Sequence, residues 1–207
     1  MKVFISFALL LLFWNADAQQ SSNALLDKMC SNVAESCVTI DYAYTARVSG
    51  IDNMATGNLV TQGDKWVVKG NGLEMYCDGK SVWVIDPAVK EVVIESVQSQ
   101  QMTDFMTNPA RAFVNIHDNF NVNAVNPSSD SQALIYSLSP QNGDMEFLNI
   151  ELYKETAAIR KMQFALKDGT LVTIKVSSMK LTPKVSDEAF MPQVLFDSTW
   201  IVTDLRK

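Results

Sequence analysis

The sequence predicts a mainly β protein (α+β) built on one large, curled antiparallel sheet with few helices. Four Asn-Gly or Asp-Gly dipeptides, typical of two-residue hairpin turns, lie at 71–72, 78–79, 142–143 and 168–169. Between and around these turns, short segments alternate apolar and polar residues with a period of two. A sheet built from so many hairpins curls rather than staying flat.

The elements are predicted in chain order from periodicity. A helix is expected over 23–36, where apolar residues recur at three- and four-residue spacing and Ser21, Ser22 or Asn23 caps the start. From Thr39 the period becomes two, which indicates a half-buried antiparallel strand with one wet face. The same alternation predicts later strands at 65–69, 73–77, 81–86, 91–95, 120–126, 133–139, 146–153, 159–166 and 170–179.

The segment 98–120 interrupts the strands with a different pattern. Asn108-Pro109 breaks it in the middle, so two short helices meeting at the proline are predicted. Their apolar side chains need a partner surface, and the concave face of the sheet is the available one. These side chains belong to Met102, Phe105, Met106, Phe113, Val114 and Ile116.

The N-terminus has the organisation of an export signal. Lys2 supplies a positive charge, 3–14 form an apolar run, and Ala-Asp-Ala at 16–18 offers a cleavage site after Ala18. As a helix the run reaches only about 18 Å, well short of a bilayer core of ~30 Å. We therefore expect residues 1–18 to be a cleaved signal peptide, with an uncleaved membrane anchor as the alternative.

The remaining residues, 19–207, are expected to form a single soluble domain outside the cytoplasm. Gln19 rather than a cysteine follows the cleavage point, so no lipid anchor is expected. The net charge is −6 and the Lys and Arg residues are scattered, which argues against nucleic acid as a partner. Of the three cysteines, Cys30 and Cys37 could bridge the first helix to the following strand, or remain inert buried thiols.

The residues needed for catalysis are mostly missing. The single histidine, His117, lies beside Asp118 and is best interpreted as a surface residue. The sequence contains no nucleophile elbow and no glycine-rich phosphate loop, and neither a cofactor nor a metal site is expected. The chain is therefore not expected to be an enzyme.

The apolar composition suggests a binding hollow instead. The chain has ten Met and ten Phe, and only one long and two short helices are predicted to cover the apolar face of the sheet. Space left on that face would be lined by flexible Met and broad aromatic side chains, which adapt to varied apolar cargo. We expect the lining to include Tyr42, Tyr44, Trp66, Val68 and Met75, with Phe105, Met106 and Phe113 closing it from the helices.

Several motifs resemble one known family. Residues 78–87 read DGKSVWVIDP and are followed by EVVI at 91–94; this stretch includes Trp83. Asn108-Pro109, IRKM at 159–162, DGT at 168–170, and Phe190 with Pro192 continue the match. Together these motifs resemble the periplasmic outer-membrane lipoprotein carrier (LolA) family over nearly all of residues 19–207.

The resemblance implies an unclosed, strongly curved antiparallel β-barrel (half-barrel) with an α-helical lid. It also implies a carrier that takes lipoproteins from an inner-membrane ABC transporter complex and delivers their acyl chains to the outer membrane, where a receptor accepts them. We expect such a carrier to be monomeric. Trp66 matches the aromatic residue at the family's cavity mouth, and Trp83 of the motif joins the candidate acyl-chain site. The alternative is a lipid- or lipoprotein-sensing interaction module of the same barrel shape.

One departure from the family pattern concerns the lid. Family members often carry an Arg-Pro pair before the aromatic strand, and the arginine helps to hold the lid shut. The matching positions here are Gln62-Gly63. The candidates to replace that arginine in holding the lid are Lys65 and Arg111.

Overall fold

The computed structural model describes residues 13–97 and 116–206, and the side chains of its first helix from Asn23 onward. Within these ranges two α-helices accompany twelve strands. The helices are α1 (Phe13–Glu35) and α2 (Ile116–Asn119). The strands are β1 (Cys37–Val48), β2 (Ile51–Gln62), β3 (Lys65–Gly70), β4 (Leu73–Cys77), β5 (Ser81–Asp86), β6 (Glu91–Ser96), β7 (Phe120–Pro127), β8 (Ala133–Pro140), β9 (Met145–Tyr153), β10 (Ile159–Leu166), β11 (Leu171–Thr182) and β12 (Ile201–Asp204).

All twelve strands belong to one sheet, in the order β12-β6-β5-β4-β3-β2-β1-β11-β10-β9-β8-β7. The halves β1–β6 and β7–β11 are each a run of hairpins, and the pairing of β1 with β11 joins them. Strands β7 and β12 lie at opposite edges, so the sheet stays open. The predicted mainly β fold with an unclosed, curved sheet is confirmed. Of the helix pair predicted over 98–120, only the last turn, α2, lies within the described residues.

The hairpin turns lie where the sequence places them. Each of the four predicted dipeptides falls between two strands that pair with each other. At the β3–β4 turn, Asn71 has φ 53° and Gly72 has φ 78°, the conformation that an Asn-Gly turn favours because both residues tolerate positive φ. Local turn chemistry therefore sets the register of most of the sheet.

Two strands and one helix boundary differ from the prediction. Strand β2 (Ile51–Gln62) was not predicted, because its polar N-terminal half lacks the β-branched alternation that marks a strand. Strand β12 pairs parallel with β6, which hairpin reasoning does not foresee. Helix α1 is already present at Phe13, the first described residue, although the prediction starts it at Asn23; the Ala and Gln residues before Asn23 are good helix formers.

The two faces of the sheet carry separate apolar clusters. We call the face that carries α1 the inner face and the opposite one the outer face. Leu26, Met29 and Val33 of α1 are 0–2% exposed and pack against the inner face. The outer cluster is smaller and centres on Phe190, which is fully buried against side chains of β3–β6. The inner face is therefore the main core of the molecule.

The segment that follows β11, residues 183–200, crosses the outer face, and we call it the C-terminal strap. The carboxamide of Gln62 accepts a hydrogen bond from the Val185 N–H (2.8 Å) and donates one to its carbonyl (3.0 Å). Nearby, the Lys65 ammonium lies 2.7 Å from the Asp187 carboxylate. Gln62 and Lys65 therefore fasten the strap to the sheet, and Arg111, the other candidate for a lid latch, lies outside the described residues.

The three cysteines are not disulfide-bonded to one another. Cys30 packs against the inner cluster from α1, whereas Cys37 belongs to the outer cluster, so the proposed Cys30–Cys37 bridge is not formed. The reason is the start of β1, where the alternating side-chain direction turns Cys37 away from α1 and toward Phe190. Burial raises the pKa of the Cys30 thiol to about 11, with the Asp27 carboxylate adding to the rise, so this thiol is uncharged at neutral pH.

Candidate functional site

A cavity of about 210 Å³ lies on the inner face, beside the part that α1 covers. Six strands contribute to its wall: β1–β4 from the first half of the sheet, and β10 and β11 from the second. Most of its lining side chains are aliphatic, aromatic or thioether groups. The lining residues are Ile40, Tyr42, Tyr44, Thr56, Leu59, Val68, Gly70, Asn71, Leu73, Met75, Met162, Val172 and Ile174.

The strand register explains why these side chains converge. Leu59 of β2 pairs with Val68 of β3, and Val68 pairs with Met75 of β4. Paired residues share a face of the sheet, so this row points into the cavity as a unit. On the other side of β1, Tyr44 pairs with Ile174 of β11. The cavity wall is thus continuous across the junction between the two halves of the sheet.

Two glycines lie side by side in one row of strands at the cavity. Tyr42, Gly57 and Gly70 form one row across β1, β2 and β3, so two adjacent positions on the row carry no side chain. The Tyr42 ring lies directly over Gly57. A Cβ at that position would come within 2.6 Å of the Tyr42 hydroxyl oxygen. At Gly70 a Cβ would meet the backbone oxygen of Thr56 at 2.7 Å, so glycine at both positions permits a close approach of neighbouring groups in the cavity wall.

The tyrosine hydroxyls that line the cavity are uncharged polar groups. Tyr42 and Tyr44 lie with ring centroids 6.5 Å apart at an interplanar angle of 36°. Burial, and then the neighbouring Tyr44, raise the pKa of Tyr42 above its usual value, so its phenol is uncharged at neutral pH. Among the described residues, the cavity therefore offers aromatic surface and hydroxyls but no formal charge. Such a wall suits hydrocarbon better than a charged ligand.

The rest of the inner face is closely packed. α1 is in contact with buried residues of the second half of the sheet, where Tyr136, Leu148 and Phe164 are 0% exposed. Burial raises the pKa of Tyr136 to about 12, and the backbone of Leu26 in α1 hydrogen-bonds its hydroxyl. The helix therefore fills one part of the inner face and leaves the cavity beside it.

The structure distributes the predicted site residues unevenly. Tyr42, Tyr44, Val68 and Met75 all line the cavity. Trp66 lies on the same face, two residues before Val68, but it is 2% exposed and packs in the core rather than at an opening. Phe105, Met106 and Phe113, predicted to close the cavity, lie outside the described residues.

The placement of Trp83 in the cavity is corrected by the register. Met75 pairs with Val84, whereas Trp83 pairs with Tyr76, one position along β4. Adjacent residues of a strand face opposite sides, so Trp83 points to the outer face. There it packs in the cluster around Phe190 beneath the C-terminal strap.

Sequence reasoning missed several lining residues. Ile40 shares the period-two row of Tyr42 and Tyr44 and could have been found from that alternation. Leu59 was missed together with β2. Residues of the second half of the sheet could not be assigned, because the pairing of β1 with β11 joins residues more than a hundred positions apart. These residues are Met162, Val172 and Ile174.

Titratable groups elsewhere form structural pairs. The His117 Nε2 atom lies 2.7 Å from the Asp27 carboxylate, and both side chains are more than half exposed, so the contact joins α2 to α1 at the surface. Within residues 13–97 and 116–206, no group of three or more His, Cys, Asp or Glu side chains is placed to hold a metal ion. Across the same ranges, no helix has the length and hydropathy to cross a membrane.

Comparison with protein families supplies the identity of the fold. The family described as "Outer membrane lipoprotein carrier protein LolA" matches residues 68–193, more than half of the 207-residue chain. The chain belongs to the LolA family. The family is described by its lipoprotein carriers. No curated protein sequence matches the chain significantly.

Solved structures resemble the chain at low sequence identity. A conserved protein from Thermus thermophilus is 12% identical, with a TM-score of 0.55, and the match covers 90% of this chain and 99% of that one. The LolA superfamily protein NE2245 from Nitrosomonas europaea is 15% identical, with a TM-score of 0.46, 84% coverage of this chain and 99% of that one. At these identities the likeness to the first shows the fold alone.

Proposed function

We propose that this LolA-family protein shields the acyl chains of lipoproteins in the inner-face cavity. It receives them from an inner-membrane ABC transporter complex and hands them to the outer membrane, or to a receptor there. The observation that supports the proposal is the uncharged cavity beside Tyr42 and Tyr44, left open in an otherwise packed inner face. Family membership supports the class of cargo.

Hydrocarbon exposure explains why such a carrier is needed. Burying one methylene is worth ~0.8 kcal/mol. Three acyl chains hold on the order of forty methylenes, so full exposure to water would cost about 30 kcal/mol by the same coefficient. A lipoprotein therefore crosses an aqueous gap only with its chains covered. The sequence has no phosphate-binding loop, so the proposal assigns the energy for loading to the membrane transporter.

The size of the cavity bears on how it is loaded. At about 210 Å³ it is smaller than the roughly 300–1,000 Å³ of pockets that enclose drug-sized ligands. The resting cavity therefore holds part of a chain, and loading widens it. Val68, Met75 and Ile174 are only partly buried, so their side chains have room to move aside. Met75 and Met162 also have flexible thioether side chains that adapt to a guest.

The proposal includes the route and state of the carrier. Residues 1–18 direct export and are removed after Ala18, and residues 19–207 act as a single monomeric domain in the periplasm. The mass of the protein purified from a periplasmic extract tests the cleavage site directly. Loss of residues 1–18 from that mass is the expected result.

Filling the cavity tests the proposal. Ile174 is partly buried and lines the cavity, whereas the next residue, Lys175, is exposed on the outer face. The substitution Ile174→Trp should weaken the binding of a fluorescent triacylated lipopeptide about tenfold or more, because the indole occupies space needed by the chains. The matched control Lys175→Trp should bind like the wild type. Titrating each protein into the lipopeptide measures both affinities.

Equal binding by Ile174→Trp and the wild type would place the lipid elsewhere and sink the proposal. A sensing module of the same shape would also bind the lipopeptide, but it would not pass it on. Transfer of the bound lipopeptide to acceptor vesicles separates the two functions, and the carrier proposal requires that transfer.

A further inference from the structure

The β1–β2 hairpin extends beyond the strands around it. Strand β2 pairs with β3 only over 57–62, so its residues 51–56 pair with β1 alone within the described part of the chain. On the other side, the pairing of β1 with β11 ends at Arg47. The tip of the hairpin, residues 47–54, is therefore held by the two strands themselves and borders solvent.

The tip carries apolar side chains in the open. Val48 is 44% exposed, Ile51 68% and Met54 77%. Val48 and Ile51 are cross-strand partners on the inner face, whereas Met54, an odd number of positions from Ile51, points to the outer face. Burying all three would remove considerable apolar surface from water, and the folded chain leaves them uncovered.

The charges at the tip neutralise each other. The Arg47 guanidinium donates hydrogen bonds to both carboxylate oxygens of Asp52, at 2.6 and 2.9 Å. The guanidinium holds the pKa of Asp52 below its usual value, and the carboxylate raises the pKa of Arg47. The two charges thus remain paired at neutral pH, directly behind the apolar pair Val48 and Ile51.

The tip is continuous with the cavity. Tyr44 lines the cavity, and Val48 lies four residues further along the same face of β1, about 13 Å away at ~3.3 Å per residue. Ala46, between them on that face, is also apolar. Leu73, 41% exposed, lines the cavity from β4. Apolar side chains therefore continue from the cavity along β1 to the tip, with Ala46 buried in the inner cluster between Tyr44 and Val48.

We propose that the tip of the β1–β2 hairpin inserts into the interfacial layer of a lipid bilayer, so that acyl chains pass between membrane and cavity along the inner face of β1. This inference rests on the proposed carrier function and adds the surface that meets the membrane. The apolar pair Val48 and Ile51 lies at the end of a hairpin that only its own two strands hold, and such a narrow apolar tip suits immersion in lipid, whereas a groove on a protein takes up a longer apolar face.

The depth of insertion is limited by the ion pair. Charged side chains are costly in the hydrocarbon core, so Arg47 and Asp52 stay at headgroup level and only the apolar tip goes deeper. Since the chain carries a net charge of −6, anionic lipid repels it and the contact depends on apolar side chains. Uncharged phosphatidylcholine vesicles therefore provide the cleanest test.

Flotation with phosphatidylcholine vesicles tests the inference. The wild type should float with the vesicles, and the double variant Val48→Ser/Ile51→Ser should partition at least about tenfold less, because its tip is polar. Met54→Ser should partition like the wild type, because Met54 pairs with Thr45, further from the turn than the ion pair, and so stays outside the inserted tip. The control Val194→Ser/Leu195→Ser, altered at the exposed apolar residues of the C-terminal strap, should float like the wild type.

Lipopeptide titration keeps this test separate from that of the proposed function. The tip variant should bind the triacylated lipopeptide within about twofold of the wild type, because neither Val48 nor Ile51 lines the cavity. Failure of the wild type to float, or equal flotation of the tip variant, overturns the membrane contact even when the cavity binds lipopeptide. Tip-dependent flotation supports the contact even if Ile174→Trp leaves lipopeptide binding unchanged.

Discussion

At the scale of single residues, two glycines help to shape the wall of the cavity. Gly57 and Gly70 are neighbours on one row of the sheet, and neither has a positive φ that demands glycine. Their role is therefore to permit the close approach of the Tyr42 ring and of the Thr56 backbone rather than to adopt an unusual backbone conformation. What surrounds each missing Cβ differs, and this difference has measurable consequences.

Substituting the two glycines with alanine should have unequal effects on stability. In Gly57→Ala the new Cβ meets the Tyr42 hydroxyl at 2.6 Å, and that side chain can swing away. In Gly70→Ala the Cβ meets the backbone oxygen of Thr56 at 2.7 Å, and the backbone cannot yield as easily. We expect a loss of about 1–3 kcal/mol for Gly70→Ala and less than about 1 kcal/mol for Gly57→Ala, measured by urea unfolding.

The displaced ring gives the first variant a second effect. In Gly57→Ala, Tyr42 turns into the cavity. The loss of binding free energy for the lipopeptide should therefore be larger than the loss of unfolding free energy. The reverse order of stabilities, with Gly57→Ala the less stable variant, would show that the Tyr42 ring is held more rigidly than its surroundings suggest.

At the scale of elements, the C-terminal strap joins distant strands. Phe190 fills the outer cluster of β3–β6, and β12 then pairs with β6, where the Leu205 N–H donates to the Ile94 carbonyl at 2.8 Å. The strap thus covers the outer face of β3–β6, on the side of the sheet opposite the cavity. Packing on the outer face holds β3 and β4 in place as walls of the cavity.

Removing the strap's anchor should loosen this whole region. Phe190 is fully buried, so Phe190→Ala should cost about 3–5 kcal/mol of unfolding free energy. Amide hydrogen exchange at Ile201 and Leu205 should accelerate as β12 detaches. The control Val194→Ala, at a residue 44% exposed, should change stability by less than about 0.5 kcal/mol. A cost below about 1 kcal/mol for Phe190→Ala would contradict an anchoring role.

The elements also show how far the sequence predicts this fold. Hairpins with Asn-Gly or Asp-Gly turns were predicted because their chemistry is local. Strand β2 was missed because its first half, Ile51–Thr56, has the composition of a loop and is held by β1 rather than by its own propensity. The pairings of β1 with β11 and of β12 with β6 are set by tertiary contacts that periodicity does not encode.

The residues of the candidate site divide in the same way, into those that local patterns predict and those that tertiary pairing brings in. Tyr42, Tyr44, Val68 and Met75 were predicted because each lies on a recognisable strand with one apolar face. The error at Trp83 came from assigning a motif residue to the cavity without the register that turns it outward. The wall residues from β10 and β11 could not be predicted, because they reach the cavity only through the pairing of β1 with β11.

At the scale of the whole molecule, one open sheet supports three regions with different tasks. α1 fills part of the inner face, the C-terminal strap covers the outer face of β3–β6, and the cavity occupies the inner face beside α1. The extended β1–β2 hairpin continues the wall of the cavity toward solvent. The fold thereby combines a stable core with a small apolar space that a guest chain can enlarge.

The central claim is that acyl chains occupy this cavity, and nuclear Overhauser effects measure it most directly. With a triacylated lipopeptide bound, cross-peaks should join its methylene protons to the methyl groups of Ile40, Met75 and Met162. No cross-peak should reach Ile85, a residue buried in the outer cluster. Cross-peaks to Ile85, or a bound lipopeptide with none to the three cavity residues, would contradict the account.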